Sequence, residues 1–260
     1  MNFLFFGDIV AESGRKAVIQ NLSYLKEKYN IDFIIANGEN SAHGKGITSK
    51  IYHQLIDAGI DVITLGNHSF SKSEIIQKID QLDSLIRPAN ILPKDIGKSV
   101  CIKEVKGKRI AVVNLLGCSF MQVADDNPLD MFSNMLEDID ADMIFVDLHA
   151  EATAEKKLFQ FVFQKKVCAI IGTHTHIQTA DEEIREGCAY ITDVGMCGPM
   201  HGIIGRDAQE IIDYIFYHKK SAYKPALGEA ILNAVVIQVD DETNQAIGIE
   251  RIYMKNVNLK

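Results

Sequence analysis

Val167-Cys168-Ala169-Ile170-Ile171 runs directly into Gly172-Thr173-His174-Thr175-His176. A short apolar run of this length suits a buried strand, and the glycine and two histidines that follow suit its polar rim. His174 and His176 stand at i and i+2. In extended chain that spacing puts both rings on one face, and on a loop it still lets two imidazoles reach neighbouring metals. The same placement recurs four times. Phe3–Phe6 precedes Gly7-Asp8, and Phe33–Ala36 precedes Asn37-Gly38-Glu39-Asn40. Val62–Leu65 precedes Gly66-Asn67-His68, and Met143–Val146 precedes Asp147-Leu148-His149. Between these runs lie helical patterns: Val18, Ile19, Leu22 and Leu25 within 12–29, a segment around Ile51–Ile56, and a stretch near 151–164. Ser71 and Glu74 have capping-box spacing ahead of Ile75 and Ile76, which predicts a helix start. Strand and helix in alternation predict parallel strands joined by crossovers. Val100–Val105 and Arg109–Leu116 around Lys106-Gly107-Lys108 predict a hairpin, as do Ala230–Val239 and Ala246–Met254. No linker or repeat divides the chain, so residues 1–260 are expected to form one domain. Its expected core is a mixed sheet with parallel strands at the centre and helices on its faces.

Ligands of open α/β sheets bind beyond the carboxyl ends of the strands. Five parallel strands would therefore gather carboxylate, amide and imidazole groups on one rim. That donor set, without thiolate, suits a borderline-to-hard transition metal such as iron, manganese or zinc. Taken singly, Gly7-Asp8 also suits an ordinary turn, Asn67-His68 a helix cap beside a surface histidine, and His149 a partly buried core histidine. Two histidines after one apolar strand are harder to assign to packing, and the fivefold repetition carries the argument.

The 260 residues include 27 basic and 35 acidic side chains, a formal charge of −8, with 47% hydrophobic residues. These values exclude a disordered, collagenous or coiled-coil chain and argue against broad nucleic-acid backbone binding. They leave room for a metal-loaded pocket that handles phosphate. The five cysteines are odd in number and form no C-x-x-C pair, which disfavours a disulfide framework or zinc knuckle. The N-terminal apolar run stops at Asp8, too short for a signal peptide, and no stretch approaches the ~18 apolar residues of a membrane span. A cytoplasmic protein is expected. Cys118-Ser119 lies in no Gly-x-Ser-x-Gly frame, so a serine hydrolase is disfavoured.

Gly7-Asp8, Gly38-Glu39-Asn40, Gly66-Asn67-His68, His149 and Gly172-Thr173-His174-Thr175-His176 together resemble, in order, the motifs of the calcineurin-like metallophosphoesterases. Gly38-Glu39-Asn40-Ser41-Ala42-His43-Gly44-Lys45-Gly46, Arg87-Pro88-Ala89-Asn90, His149-Ala150-Glu151-Ala152-Thr153 and Thr192-Asp193-Val194-Gly195-Met196 resemble the YmdB-like branch. The resemblance covers essentially the whole chain. It implies a four-layer α/β/β/α metallophosphoesterase sandwich with mixed sheets, and phosphodiesterase activity on 2′,3′-cyclic nucleotides. It also implies two transition-metal ions (iron or manganese first, zinc as the alternative) and a hydroxide bridging them as nucleophile. Asp8, Glu39, Asn40 and His176 would hold one ion. Glu39, Asn67, His149 and His174 would hold the other, with Glu39 bridging and catalytically essential. His68 would protonate the leaving ribose oxygen. Asp8-Ile9-Val10 lacks the Asp-x-His of the wider superfamily, and Glu39 stands where that superfamily usually has Asp; Asn40 fills the vacancy, as in the YmdB-like branch. The expected partner is a small cyclic nucleotide or other phosphodiester, with RNA ends and homo-oligomers kept open and no membrane. The alternatives are a phosphomonoesterase or nucleotidase, and a slow-turnover nucleotide-sensing protein.

Several residues carry two readings. His43-Gly44-Lys45-Gly46 is either a phosphate-facing loop or a mobile turn, and it is no Walker A loop because Gly46 stands where Ser or Thr is required. Arg87 suits neutralising a substrate phosphate or, as an Arg before Pro more often does, positioning a loop, and Asp193 suits either orienting a ligand or forming a turn. His201 suits a substrate contact or a surface loop, while His53 and His218, in helical stretches, suit surface or packing positions.

Overall fold

A computed structural model describes residues 1–257. In chain order the elements are β1 (Asn2–Phe6), β2 (Asp8–Ile9), α1 (Ala11–Lys28), β3 (Phe33–Asn37), α2 (Ser49–Asp57), β4 (Val62–Thr64), α3 (Ser73–Lys78), β5 (Val100–Val105), β6 (Lys108–Leu116), α4 (Pro128–Leu136), β7 (Met143–His149), α5 (Thr153–Phe163), β8 (Ala169–Thr173), β9 (Glu183–Arg185), β10 (Cys188–Ile191), β11 (Met196–Pro199), α6 (Ala208–Ile215), β12 (Ala230–Val239) and β13 (Ala246–Val257).

The strands build two mixed sheets where the sequence pattern suggested one. A seven-stranded sheet runs β2-β11-β12-β1-β3-β4 with β13 on β12, and a six-stranded sheet runs β5-β6-β7-β8-β10-β9. The five donor-bearing runs divide between them. β1, β3 and β4 are parallel neighbours in the first sheet, and β7 and β8 are parallel neighbours in the second. The sequence left this division open because each run is apolar on both faces, as strands covered on both sides must be.

In β1, Phe3 and Phe5 join Phe33, Ile35, Ile110, Val112 and Phe145 in a core between the two sheets, where the Phe3 and Phe145 rings lie 4.3 Å apart. Leu4 and Phe6 point the other way, into a core with Val18, Leu22 and Leu25 of α1 and Leu55 of α2. On the far face of the second sheet Val146, Leu148 and Ile170 pack with Phe132 of α4 and Phe159 and Phe163 of α5. Burying each such side chain is worth about 1.5–3 kcal/mol, so both sheets are held by apolar packing on two faces.

Both predicted hairpins form. The capping box does not: α3 starts after Lys72 with no side-chain cap, and Glu74 instead accepts the Ser49 N–H at 2.8 Å, tying α3 to the first turn of α2. β7 runs through His149, so Asp147 and His149 are strand residues two apart rather than a loop. Among the described residues no helix is long and apolar enough to cross a membrane.

Candidate metal centre

The carboxyl ends of strands from both sheets meet at one point. Asp8 comes from β2, Glu39 and Asn40 follow β3, Asn67 and His68 follow β4, His149 ends β7, and His174 and His176 follow β8. His149 Nε2 lies 3.1 Å from Glu39 Oε1, 3.0 Å from Asn67 Oδ1 and 3.0 Å from His174 Nδ1. Asn40 Nδ2 lies 3.0 Å from Glu39 Oε1 and 3.1 Å from His176 Nε2. Asp8 Oδ1 is 3.9 Å from both His149 Nδ1 and His176 Nε2, while its Oδ2 accepts the His174 N–H at 3.1 Å. The fold thus brings all seven side chains expected as ligands into one contact network, with Glu39 touching both halves. The His68 N–H donates to Glu39 Oε2 at 3.0 Å, and the His68 ring stands beside Asn67. Gly66 makes the crowding feasible: a Cβ there would lie 2.3 Å from Glu39 Oε2 and 2.4 Å from His149 Nε2.

The donors fit a cation. Ligand atoms of Glu39, His149 and His174 all lie within 4.8 Å of one another, and Asp8 Oδ1 is buried with no hydrogen-bond partner. Burial pushes the Asp8 carboxyl up to about 6, against the opposing pull of His176 and His149. Burial would also raise Glu39, but His149 and His68 hold it below the ordinary carboxylate range. His149 is driven up to about 9, because Glu39, Asp8 and Asp147 outweigh the burial that would lower it. Burial, and then His149 beside it, press His174 down to about 3. Buried carboxylates adjoining imidazoles, oxygen and nitrogen donors so placed, are what a transition metal binds.

Residues behind the cluster hold it in shape. Thr173 Oγ1 donates to Asp147 Oδ1 at 2.6 Å and lies 2.9 Å from His149 Nδ1. Its single hydrogen is committed to Asp147, so it accepts from the His149 Nδ1–H, and this leaves Nε2 facing the cluster as the nitrogen that would bind an ion on losing its proton. Lys156 Nζ, fully buried, donates to Thr173 O at 2.8 Å and to Asp193 Oδ2 at 2.9 Å. Asp193 in turn accepts the Thr175 N–H at 3.0 Å and the Gly195 N–H at 2.8 Å. These bonds clamp a loop in which His174 and His176 have φ of 101° and 67°, values that few non-glycine residues adopt.

Sequence reasoning did not single out Asp147 or Lys156. A signal existed for each: Asp147 is two residues from His149 in one strand, and Lys156 shares its helical stripe with Phe159 and Phe163. Other candidates fall elsewhere. Arg87 donates to the carbonyls of Ile96, Pro88 and Ala89 at 3.0, 2.8 and 3.2 Å and organises its own loop. His201 lies on the surface beside Glu229, and His53 and His218 are exposed, His218 lying beyond the end of α6 with φ of 53° rather than in a helix.

An α/β protein of this build, two mixed sheets whose rims meet at a nest of metal-type donors, falls in the class of metallophosphoesterase-like phosphatases. A crystal structure of a phosphatase from Mycoplasma pneumoniae matches it with a TM-score of 0.93 at 36% identity, covering 98% of this chain and 93% of that one. A crystal structure of a hypothetical protein from Thermus thermophilus matches with a TM-score of 0.92 at 33% identity, covering 98% and 100%. Residues 4–252 match the model of the YmdB-like protein family. The chain is 44% identical to the 2′,3′-cyclic-nucleotide 2′-phosphodiesterase of Bacillus subtilis (strain 168) over 98% of each. It belongs to the YmdB-like family.

Proposed function

We propose that this protein is a metal-dependent phosphodiesterase that opens 2′,3′-cyclic nucleotides to nucleoside 3′-monophosphates. The observation that carries the reading is the convergence of Glu39, Asn67 and His174 within 3.0–3.1 Å of His149 Nε2, in a chain 44% identical to a relative of that activity. Asp8, Glu39, Asn40 and His176 would hold one ion and Glu39, Asn67, His149 and His174 the other, iron or manganese suiting the donors best. Asn40 would turn its amide so that the oxygen faces the ion. Bound metal supplies positive charge that lowers the pKa of water and stabilises charge on phosphoryl oxygens. The frame is read as the four-layer metallophosphoesterase sandwich, in a single domain.

The residues then divide the work. Glu39 is held through Oε2 by the His68 N–H, so its carboxylate keeps one position for both halves. Asp147 and Thr173 fix the His149 tautomer. His68 offers a ring N–H to the leaving 2′-oxygen. In the reaction water oxygen bonds to phosphorus, the bond from phosphorus to the 2′-oxygen breaks, and that oxygen takes a proton.

Parallel assays of 2′,3′-cAMP, 3′,5′-cAMP and 5′-AMP with Mn²⁺ test the reading. Hydrolysis confined to 2′,3′-cAMP is expected. Preferential hydrolysis of 5′-AMP would make the protein a nucleotidase, and no hydrolysis of any phosphoester would make it a sensor.

A further inference from the structure

The donor cluster has a rim on its Asn40–His176 side, and contacts close that rim into a ring. Asn40 Nδ2 meets His176 Nε2 at 3.1 Å, and His176 Nδ1 lies 2.9 Å from Ile204 O. The turn that carries Ile204 is shut by paired backbone bonds between Ile203 and Arg206 at 2.9 and 3.0 Å. The Arg206 guanidinium lies 4.8 Å from the centre of the Tyr223 ring and is held on its other side by Glu210 at 2.8 Å. The phenol edge of Tyr223 lies against Gly44, where a Cβ would fall 2.0 Å from Cε1 and 2.4 Å from the phenol oxygen. The Gly44 N–H returns to Asn40 O at 3.0 Å.

Two polar groups on this ring are uncommitted. Lys45 is exposed, with Nζ 5.8 Å from the Tyr223 ring centre, and no carboxylate among the described residues pairs with it. The Tyr223 hydroxyl likewise has no hydrogen-bond partner among them. Both belong to the segment of the ring that returns to the donor Asn40: Lys45 follows Gly44, whose N–H bonds Asn40 O at 3.0 Å, and Tyr223 stands against Gly44. The loop holding Lys45 is set rather than loose. Ala42 N–H donates to Gly46 O at 2.8 Å, and His43, Gly44 and Gly46 have φ of 57°, 85° and 77°. Gly44 is needed twice, for its positive φ and for the phenol that occupies the space of a side chain.

We propose that Lys45 Nζ and Tyr223 Oη are the two donors that hold the phosphoryl oxygens of the substrate, a specificity-determining pair for the phosphoanion. The inference rests on the phosphodiester reading above. Asp8 and Glu39 make the cluster itself acidic, and an ammonium is a standard point-charge partner for phosphate. With the Arg206 guanidinium and Lys45 Nζ both near the Tyr223 ring, its surroundings are cationic and suit an anion better than a stacked base.

The test compares wild type with Lys45→Met and Tyr223→Phe, each metal-loaded. The phenylalanine keeps the ring on Gly44 and removes only the hydroxyl. Calorimetric titration with inorganic phosphate should show Kd raised about tenfold or more in Lys45→Met, the loss expected for one hydrogen bond to a charged group, and severalfold in Tyr223→Phe. KM for 2′,3′-cAMP should rise in parallel with kcat within about threefold, and metal content should be unchanged. Phosphate Kd within twofold of wild type in both variants overturns the proposal, as does weakened binding that tracks lost metal. Phosphate binding is read without turnover. If wild type hydrolyses no cyclic nucleotide while Lys45→Met still weakens phosphate, the functional reading fails and this pair stands.

Discussion

Glu39 is the residue on which the donor cluster turns, because its two oxygens address different neighbours. Oε1 faces His149 and Asn40, and Oε2 takes the His68 N–H. Glu39→Gln keeps the shape but removes the shared anion. It should lower metal content by elemental analysis and reduce turnover well beyond the roughly 10–100-fold typical of altering a group that only orients a ligand. Asp147→Asn sits in that milder range. It disturbs the Thr173 hydroxyl that fixes His149, and a competing chelator should report metal affinity weakened about 10–100-fold. His68 separates binding from chemistry. His68→Ala should retain metal yet lose about 10²–10⁴ in rate on an alkoxide leaving group, and much less on p-nitrophenyl esters. Equal activity across leaving groups would rule out its role at the leaving oxygen.

At the scale of elements, the loop from β8 to β9 is the piece the fold must restrain, since its two histidines occupy unfavourable backbone angles. Lys156 in α5 restrains it through Asp193 at zero exposure for both side chains. Lys156→Met leaves Asp193 a buried, unpaired carboxylate, a change that costs about 3–5 kcal/mol and should appear as a lower urea midpoint. Asp181 anchors the far end of the same loop. It accepts from Thr179 Oγ1 at 2.7 Å and from the Thr192 N–H and hydroxyl at 3.2 and 2.5 Å. Burial would raise its carboxyl, but the Thr192 and Thr179 bonds and Lys157 hold it below the ordinary Asp range. A carboxyl depressed in the folded state stabilises above its unfolded value, near pH 4, and loses that contribution as pH falls through its folded value. Asp181→Asn should therefore cost about 1 kcal/mol near pH 7, discounted for its partial exposure. Its stability should converge with wild type as the pH drops below 4. A pH-independent difference would assign the effect to packing. The apolar runs and the donors beyond them were legible because burial and coordination each demand specific residue types. The capping box at Ser71 misled because Glu74 had a tertiary partner in Ser49, and Lys156 was missed because a lysine on a helical stripe ordinarily faces water.

On the scale of the molecule, the donors are split between two sheets that meet through an apolar core and a few buried hydrogen bonds, such as Asn37 Nδ2 to Asp147 Oδ2 at 3.0 Å and the Leu65 N–H to Asn114 Oδ1 at 3.0 Å. Asp8, Glu39, Asn40 and Asn67 belong to the seven-stranded sheet, and His149, His174 and His176 to the six-stranded one. That split was hidden in the sequence, since a run buried on both faces carries no mark of its sheet. It has a thermodynamic consequence. An ion held by both groups cannot stay fully coordinated if the sheets separate, so metal binds the folded state and not the unfolded chain, and binding adds RT ln(1 + [M]/Kd) to stability. At a free metal concentration of 100 Kd this is about 2.7 kcal/mol. At roughly 2–4 °C per kcal/mol for a chain near this size, the midpoint of unfolding should rise by about 5–10 °C. Calorimetric scans with chelator and with graded Mn²⁺ would show it, the midpoint climbing with the logarithm of free metal above Kd. Glu39→Gln should flatten that dependence while leaving the chelated midpoint near wild type, because the apolar core between the sheets does not involve it. A wild-type midpoint indifferent to metal would mean that the two halves of the donor cluster do not share an ion, and the dinuclear reading would fall with it.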